Sequence, residues 1–228
     1  MPGDLYAHRL DAAKMTKGTS SATIHRLLLD AAARAIEPAA KILEFGAGTG
    51  GLVRSLREAG FIGPITAADI LPRPVHIDAA TSWIEADLNE PLPIADRAFD
   101  AIISTEVIEH LENPRALFRE FGRLIRPGGC LLLTTPNQES IRSLLSLLLR
   151  GHYVDFLDGS YPAHITPLVR LDLSRMCAEN GFEPPRFFYT DQGSVPGAPR
   201  VSWQQVSAGL LHGRRFSDTL AMTARKRN

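Results

Sequence analysis

Apolar residues recur at helical spacing between Thr23 and Ile36, at Ile24, Leu27, Leu28, Ala31 and Ala35, and Pro38 follows as a stop. Before them, residues 1–20 are polar and mixed and read as a flexible lead or a short helix. Beyond Pro38 short apolar runs alternate with amphipathic stretches. Lys41–Phe45 predicts a buried strand, then a glycine-rich turn and a helix over Leu52–Ala59, closed by Gly60. Ile65–Asp69, Ser82–Ala86 and Phe99–Ser104 predict three more strands. Arg115–Ile125 predicts a helix that stops before Pro127-Gly128-Gly129, and Cys130–Thr135 a fifth strand ending at Pro136. Alternation of this kind predicts an α/β fold, a parallel sheet with helices on both faces.

After Pro136 the rhythm changes. Ile141–Leu149 predicts a leucine-rich helix, followed by a segment carrying Tyr153, Phe156, Tyr161 and His164. Leu171–Asn180 predicts a helix ended by Gly181, Arg186–Thr190 a strand, Gly193–Pro199 a turn-rich loop and Thr219–Ala224 a last strand. The chain reads as a single domain over 1–228, with residues 1–38 as a helical lead and 137–168 as a lid inserted over one end of the sheet. In the lid helix, Arg142, Ser146 and Arg150 recur every four positions and leucines fill the rest. Two readings stay open: leucines packed on the sheet, or an interfacial helix that meets a membrane face or a lipid-linked acceptor. The aromatics that follow serve either to stack on an acceptor or as the lid's own small core.

Composition narrows the classes. The chain has 228 residues, 44% hydrophobic and 22% charged, ordinary for a globular protein. Lys+Arg and Asp+Glu number 25 each, which argues against a broad nucleic-acid footprint. Cys130 and Cys177 are far apart and form no CxxC pair, so a disulfide framework is not expected and a reducing, cytoplasmic setting fits. The start lacks a basic-then-apolar signal pattern, and no stretch reaches about 18 apolar residues. The expected partner is a small molecule, with at most peripheral membrane contact; the tail Arg225-Lys226-Arg227 reads as disordered and solvated.

Glu44-Phe45-Gly46-Ala47-Gly48-Thr49-Gly50-Gly51 carries the strongest chemical signal. Glycines there allow a sharp strand-to-helix turn and close approach of a ligand. Gly46, Gly48 and Gly51 fit the dinucleotide pattern G-x-G-x-x-G. Gly46, Gly48 and Gly50 after the acid Glu44 fit E/D-x-G-x-G-x-G, the loop for S-adenosylmethionine (SAM). A carboxylate beside the turn favours SAM, whose amino-acid end is cationic at ammonium and sulfonium, over a pyrophosphate. Asp69, ending the second strand, can accept both ribose hydroxyls of either cofactor. Asp87 can accept the adenine amine, with Leu88 packed on the ring.

Taken with Ala86-Asp87-Leu88, Phe99–Ser104 and Leu124–Gly129, this set resembles the class I SAM-dependent methyltransferases over residues 40–136. The resemblance implies a Rossmann-like seven-stranded sheet of order 3-2-1-4-5-7-6, its last strand antiparallel. It also implies SAM held by Glu44, Gly46, Gly48, Gly50, Asp69, Asp87, Leu88 and Ser104.

A second motif, Glu106-Val107-Ile108-Glu109-His110-Leu111, lies just past the fourth strand, at the ligand edge of an open α/β sheet. If it is helical, Glu106, Glu109 and His110 share one face and can hold a divalent cation, while Val107, Ile108 and Leu111 pack inward. The plain alternative is a solvated helix turn. The E-x-x-E-H pattern resembles the small-RNA 3′-terminal 2′-O-methyltransferases and the O-methyltransferases of ubiquinone biosynthesis. That likeness implies Mg²⁺ or Mn²⁺ on Glu106, Glu109, His110 and a further histidine, for which His164 is the candidate. Without a metal, His110 or His164 would serve as general base, and Glu106 belongs to the same catalytic edge.

The stretch from Thr135 through His164-Ile165-Thr166-Pro167 to Phe182 looks like bacterial methyltransferases of surface-polysaccharide and natural-product pathways. The leading expectation is therefore SAM-dependent O-methylation of a sugar or other polyhydroxylated small molecule. A catechol-type quinone precursor is the nearest alternative, and an RNA 3′ end is disfavoured by the zero net charge. Outside the class stand an NAD-dependent oxidoreductase, which the Asp87 and Pro-Gly-Gly elements disfavour, and a SAM-binding scaffold without activity.

Overall fold

A computed structural model describes residues 2–15 and 18–228. Its main sheet has seven strands: β1 (Ile42–Phe45), β2 (Ile65–Asp69), β3 (Ser82–Glu85), β4 (Phe99–Thr105), β5 (Ile125–Pro136), β6 (Arg186–Tyr189) and β9 (Thr219–Arg225). Their order is β3-β2-β1-β4-β5-β9-β6. β1 to β5 run parallel, while β9 is antiparallel to both β5 and β6. This is the Rossmann-like order expected, with the last strand numbered ninth because a hairpin intervenes. That hairpin, β7 (Ser194–Val195) with β8 (Ala198–Ser202), forms where a turn-rich loop was expected over Gly193–Pro199.

The central strands are buried on both faces, so their side chains feed two cores in turn. Ile42, Ile103 and Leu132 meet α2 (Ala22–Ala35) and α3 (Gly51–Glu58) through Leu28, Leu52 and Leu56. Leu43, Ile102, Leu131 and Leu133 meet α4 (Pro114–Leu124) and α6 (Arg170–Glu179) through Phe118, Phe121, Leu173 and Met176. Cys130 and Cys177 are free and buried in opposite cores. Caps fit the residues at the helix starts: Ser21 accepts from Ile24 N–H, and Asn113 from Ala116 N–H with Pro114 at the first helical position.

Several boundaries moved. The lead forms a helix, α1 (Pro2–Met15). Pro127-Gly128-Gly129 lies inside β5, where the pairing with β4 shifts register. The basic tail is ordered: Arg225 ends β9, its Nη2 donates to the Ala35 carbonyl, and Lys226 Nζ donates to Asn180 O and lies over the Phe182 ring. A backbone bridge between Phe182 and Lys226 extends the sheet edge past the strand and holds that tail.

Of the two readings open for the lid helix, α5 (Ile141–Arg150), the packed one fails. Its leucines do not pack on the sheet. Ser143 and Ser146 turn inward, and Leu144, Leu145, Leu147, Leu148 and Leu149 are exposed. The inner face is set by polar contacts: Ser140 caps the helix by accepting from Ser143 N–H, and Ser143 Oγ donates to the buried Gln138 Oε1. Arg142 adds an ion pair to Asp218 at 3.2 Å. The helix remains too short to cross a membrane, and among the described residues no helix is long and apolar enough to do so. A four-residue helix, α7 (Trp203–Val206), completes the elements.

Candidate functional site

The C-terminal ends of β1, β2 and β4 open on one cavity of about 1060 Å³. Glu44, Gly46, Gly48, Asp69, Asp87, Leu88, Glu106, Glu109, His110 and His164 all line it. Gly50 and Ser104 do not. Gly50 sits behind the turn as the N-cap of α3, its Cβ position facing Ile77, and its place on the wall is taken by Gly51. Ser104 is buried in β4 with a side chain pointing the other way from its neighbour, so Thr105 reaches the cavity in its stead.

The glycine turn needs glycine for two distinct reasons. Gly46, Gly48 and Gly50 all have φ between +51 and +82. In addition, a Cβ on Gly48 would sit 2.1 Å from the Gly18 carbonyl oxygen, and one on Gly46 would sit 2.2 Å from Val107 Cγ2. The turn is thus clamped between the segment entering α2 and the second motif. Gly18 O also accepts from Thr49 N–H at 3.0 Å. Gly60→Ala, at φ +90° with open space around it, carries the backbone strain alone, about 1–3 kcal/mol, and Gly48→Ala, which adds the collision with Gly18, is expected to lower Tm further. Paired calorimetric melts check this; equal losses would mean the Gly18 contact carries no weight.

The carboxylates around the turn are held out of water. Burial pushes Glu44 well above the usual carboxylate range, Asp69 nearby adds to the rise, and the Val53 N–H opposes it. Glu44 Oε2 has no hydrogen-bond partner. Asp69 is raised by burial as well, although its two oxygens accept from Leu71 N–H at 2.8 Å and Gly48 N–H at 2.6 Å. For Asp87 burial alone would raise the carboxyl, but Asn89 and Arg9 outweigh it and hold it below its ordinary value. Arg9 of α1 donates to Asp87 Oδ2 at 2.5 Å and grips Glu112 with two further bonds of 3.0 and 2.9 Å. Sequence reasoning missed this strap. His8 and Arg9 of α1, Thr19 and Ser20 of the segment entering α2, and His25 of α2 line the cavity, and nothing in their local spacing marks them, since only the packing of these elements over the glycine turn brings them there.

The second motif is not an α-helix. β4 runs to Thr105, Glu106 takes a left-handed φ of 52°, and a single 3₁₀ turn covers Ile108–His110. Glu106 N–H donates to Thr134 O at 3.2 Å and to Thr134 Oγ1 at 3.1 Å, which pins that unusual conformation. The kink takes Glu106 out of the helical register expected for it, while its buried carboxylate still feels the charge of Glu109 and its Oε1 has no partner. One potential ligand atom from each of Glu109, His110 and His164 lies within 4.8 Å of the others, and Glu106 is not among them. Three of the four expected ligands therefore come together, and Glu106 lines the same cavity outside that group. Val107, Ile108 and Leu111 are buried, as expected.

His164 arrives from the lid. The backbone N–H groups of Ile165 and Thr166 both donate to Glu109 O at 3.0 Å, and Thr166 Oγ1 donates to Leu111 O. His110 Nδ1 lies 2.7 Å from Ala163 O, and His164 Nδ1 lies 2.7 Å from Asp155 O. A carbonyl can only accept, so each Nδ1 carries the proton and each Nε2 keeps its lone pair. The rings are 4.8 Å apart, centroid to centroid. Burial lowers both imidazoles below the ordinary histidine value, which favours the neutral form. Glu109 accepts from Thr135 Oγ1 at 3.1 Å through Oε2, and its Oε1 has no partner. Burial raises Glu106 and Glu109 alike, each carboxylate being an unwelcome charge without a cation beside it. Two imidazoles, an orphaned carboxylate oxygen and carbonyl-anchored Nδ1 protons are the donor set and outer support that a divalent cation takes.

Of the aromatics, Tyr161 lines the cavity. Tyr153 meets Phe156 edge-on at 6.5 Å and Phe156 meets His164 at a tilt at 5.5 Å, as the lid's own core.

Comparison with known proteins agrees with the fold. The family described as methyltransferase domain matches residues 13–184. A malonyl-[acyl-carrier protein] O-methyltransferase of Hahella chejuensis is 34% identical over 100 residues, 41% of this chain and 36% of that protein. A ubiquinone biosynthesis O-methyltransferase of Xanthomonas campestris is 31% identical over 149 residues, 57% of this chain and 61% of that protein. The chain thus spans between about a third and three fifths of the length of these curated relatives. Among solved structures, a methyltransferase in complex with the Trm112 activator from Haloferax volcanii has a TM-score of 0.65 at 17% identity, covering 90% of each chain. The Burkholderia thailandensis 1,6-didemethyltoxoflavin N1-methyltransferase, solved with S-adenosylhomocysteine (SAH), has a TM-score of 0.59 at 18% identity, covering 99% of this chain and 87% of that one.

Proposed function

The chain belongs to the methyltransferase-domain family, and from that premise we propose that it transfers a methyl group from SAM to a hydroxyl of a sugar or other small molecule with adjacent hydroxyls. The observation that carries this reading is the meeting, in one cavity, of the Glu44 glycine turn with the Glu109/His110/His164 cluster. The buried, half-satisfied Glu44 carboxylate suits the cationic amino-acid end of SAM. Asp69 would take the ribose hydroxyls, and Asp87 with Leu88 the adenine. SAM supplies an activated methyl carbon for in-line displacement, so the protein's share is to align the acceptor oxygen and remove its proton.

Glu109, His110 and His164 would hold Mg²⁺ or Mn²⁺, which as a Lewis acid lowers the pKa of a bound hydroxyl. The fit rests on the orphaned Glu109 Oε1 and the two free Nε2 lone pairs. His110 and His164 also stand within reach of the role of general base. The names of the Hahella and Xanthomonas relatives support oxygen as the acceptor atom. A catechol-type quinone precursor is the second acceptor class, supported by the name of the Xanthomonas relative, a ubiquinone biosynthesis O-methyltransferase.

Calorimetric titration of Mg²⁺ and Mn²⁺ into SAH-saturated protein tests the metal assignment. Saturable heat that disappears in His164→Ala supports it. Absence of heat, both without acceptor and with a panel of polyols and catechols present, removes the metal and leaves histidine general-base catalysis. A methyl-transfer screen with labelled SAM over the same panel tests the acceptor class; turnover confined to amines or carboxylates would sink it.

A further inference from the structure

We propose that the exposed leucine face of α5 docks the protein on an anionic lipid surface. α5 is held by its serines, so its outward orientation is built in: Ser143 and Ser146 are 3% and 7% exposed, while Leu148 and Leu149 are 78% and 77% exposed. Leu144, Leu145 and Leu147 extend the patch along the helix. An apolar face this continuous, raised from the body on a polar underside, marks an interaction surface.

Charge selects the partner. No acidic residue occurs between Glu139 and Asp155, and of the two arginines there Arg142 is paired with Asp218, which leaves Arg150 as the charge of the leucine face. Arg150 is exposed at the end of the leucine face. Arg215, also exposed, lies on the 3₁₀ turn that packs beside α5, its Nη1 donating to Glu139 O. Leucines flanked by arginines suit a bilayer interface with anionic headgroups, the leucines entering the acyl boundary and the guanidinium groups remaining among phosphates. A second copy of the chain fits less well, since a two-fold contact through α5 would bring like arginines towards each other.

The patch is continuous with the cavity. The chain leaves α5 through Leu157, Tyr161 and Ile165, all exposed, and the last two line the cavity mouth. A docked molecule would therefore present its cavity close to the lipid surface.

Vesicle flotation with the full chain tests the proposal. Mixed phosphatidylcholine–phosphatidylglycerol vesicles should carry the wild type upward, pure phosphatidylcholine should carry much less, and added salt should weaken the binding. The double variant Leu148→Ser with Leu149→Ser should lose about tenfold in partitioning, and Arg150→Glu should lose preference for the anionic vesicles. Neither position lines the cavity, so unchanged SAH affinity certifies the fold of each variant. Flotation that fails for the wild type on both vesicle types, or that survives both variants, overturns the proposal. So does light scattering that shows a wild-type dimer dissociated by the leucine substitutions, which would assign the face to a second copy. No readout depends on methyl transfer, so failure here is separable from failure of the functional reading.

Discussion

His110→Ala is expected to lower methyl transfer by about 10²- to 10⁴-fold while leaving SAH affinity within a few-fold. Nδ1 of His110 is spent on the Ala163 carbonyl, so the proposed base or ligand atom of the ring is Nε2, and alanine removes it entirely. The glycine turn and Asp69 stay in place, because His110 makes no hydrogen bond to either that would hold them. Glu109→Gln is the companion. It keeps an oxygen for the Thr135 hydroxyl but removes the charge that a cation would meet. If a metal acts, both variants lose turnover and metal heat together. If a histidine acts alone as base, His110→Ala loses turnover and Glu109→Gln keeps most of it. Steady-state kinetics beside calorimetry reads the difference, and full turnover in His110→Ala, His164→Ala and Glu109→Gln alike would remove the cluster from the reaction.

Glu44→Gln is expected to weaken SAH by about tenfold or more and, in the same protein, to raise the Tm of the ligand-free form. The two effects share one cause. Glu44 is buried, one oxygen lacks a partner, and its carboxyl titrates well above the ordinary range. Glutamine can still accept the Val53 N–H, so the turn keeps its shape. It lacks the charge that an ammonium or sulfonium would meet, and a hydrogen bond to a charged group is worth about 1.5–3 kcal/mol. The sign of the pH dependence follows from the raised value. Folding favours the protonated form, so this contribution is fully present below the unfolded pKa and fades as pH rises through the folded one. Wild-type Tm should therefore fall relative to the variant between mildly acidic and neutral pH, and the repulsion from Asp69, the charge facing Glu44 from β2, is part of what the variant removes. Each kcal/mol released should appear as about 2–4 °C. Parallel melts with pH, without SAH, check this; parallel curves for the two proteins would mean that Glu44 is ionised and satisfied.

Local pattern made much of the fold legible. Double-sided apolar runs such as Ile42–Phe45 and Phe99–Ser104 belong to strands buried by helices on each side, and both cores are filled as those runs require. The positive-φ glycines at 46, 48 and 50 follow from the strand-to-helix reversal they make. Glu106 shows the limit. Its spacing to Glu109 and His110 suggested a shared helical face, yet Thr134 on the adjacent strand holds its N–H and the backbone turns left-handed there. A neighbour 28 residues away in sequence decided the conformation. Arg9 is a second case, since its partners Asp87 and Glu112 lie on other elements altogether.

By itself the sequence determined the alternation of strands and helices, the sheet order once the family resemblance was added, the place of the glycine turn, and the candidates His110 and His164. These depend on periodicity and backbone freedom, which are properties of short stretches. Tertiary structure decided which three ligands meet, that Thr105 and Gly51 rather than Ser104 and Gly50 reach the cavity, and that α1 straps across it. It also decided which face of α5 turns inward. Helical spacing tells which residues share a face, but only the groups packed against the helix, here Gln138 and Asp218, select the face that is buried.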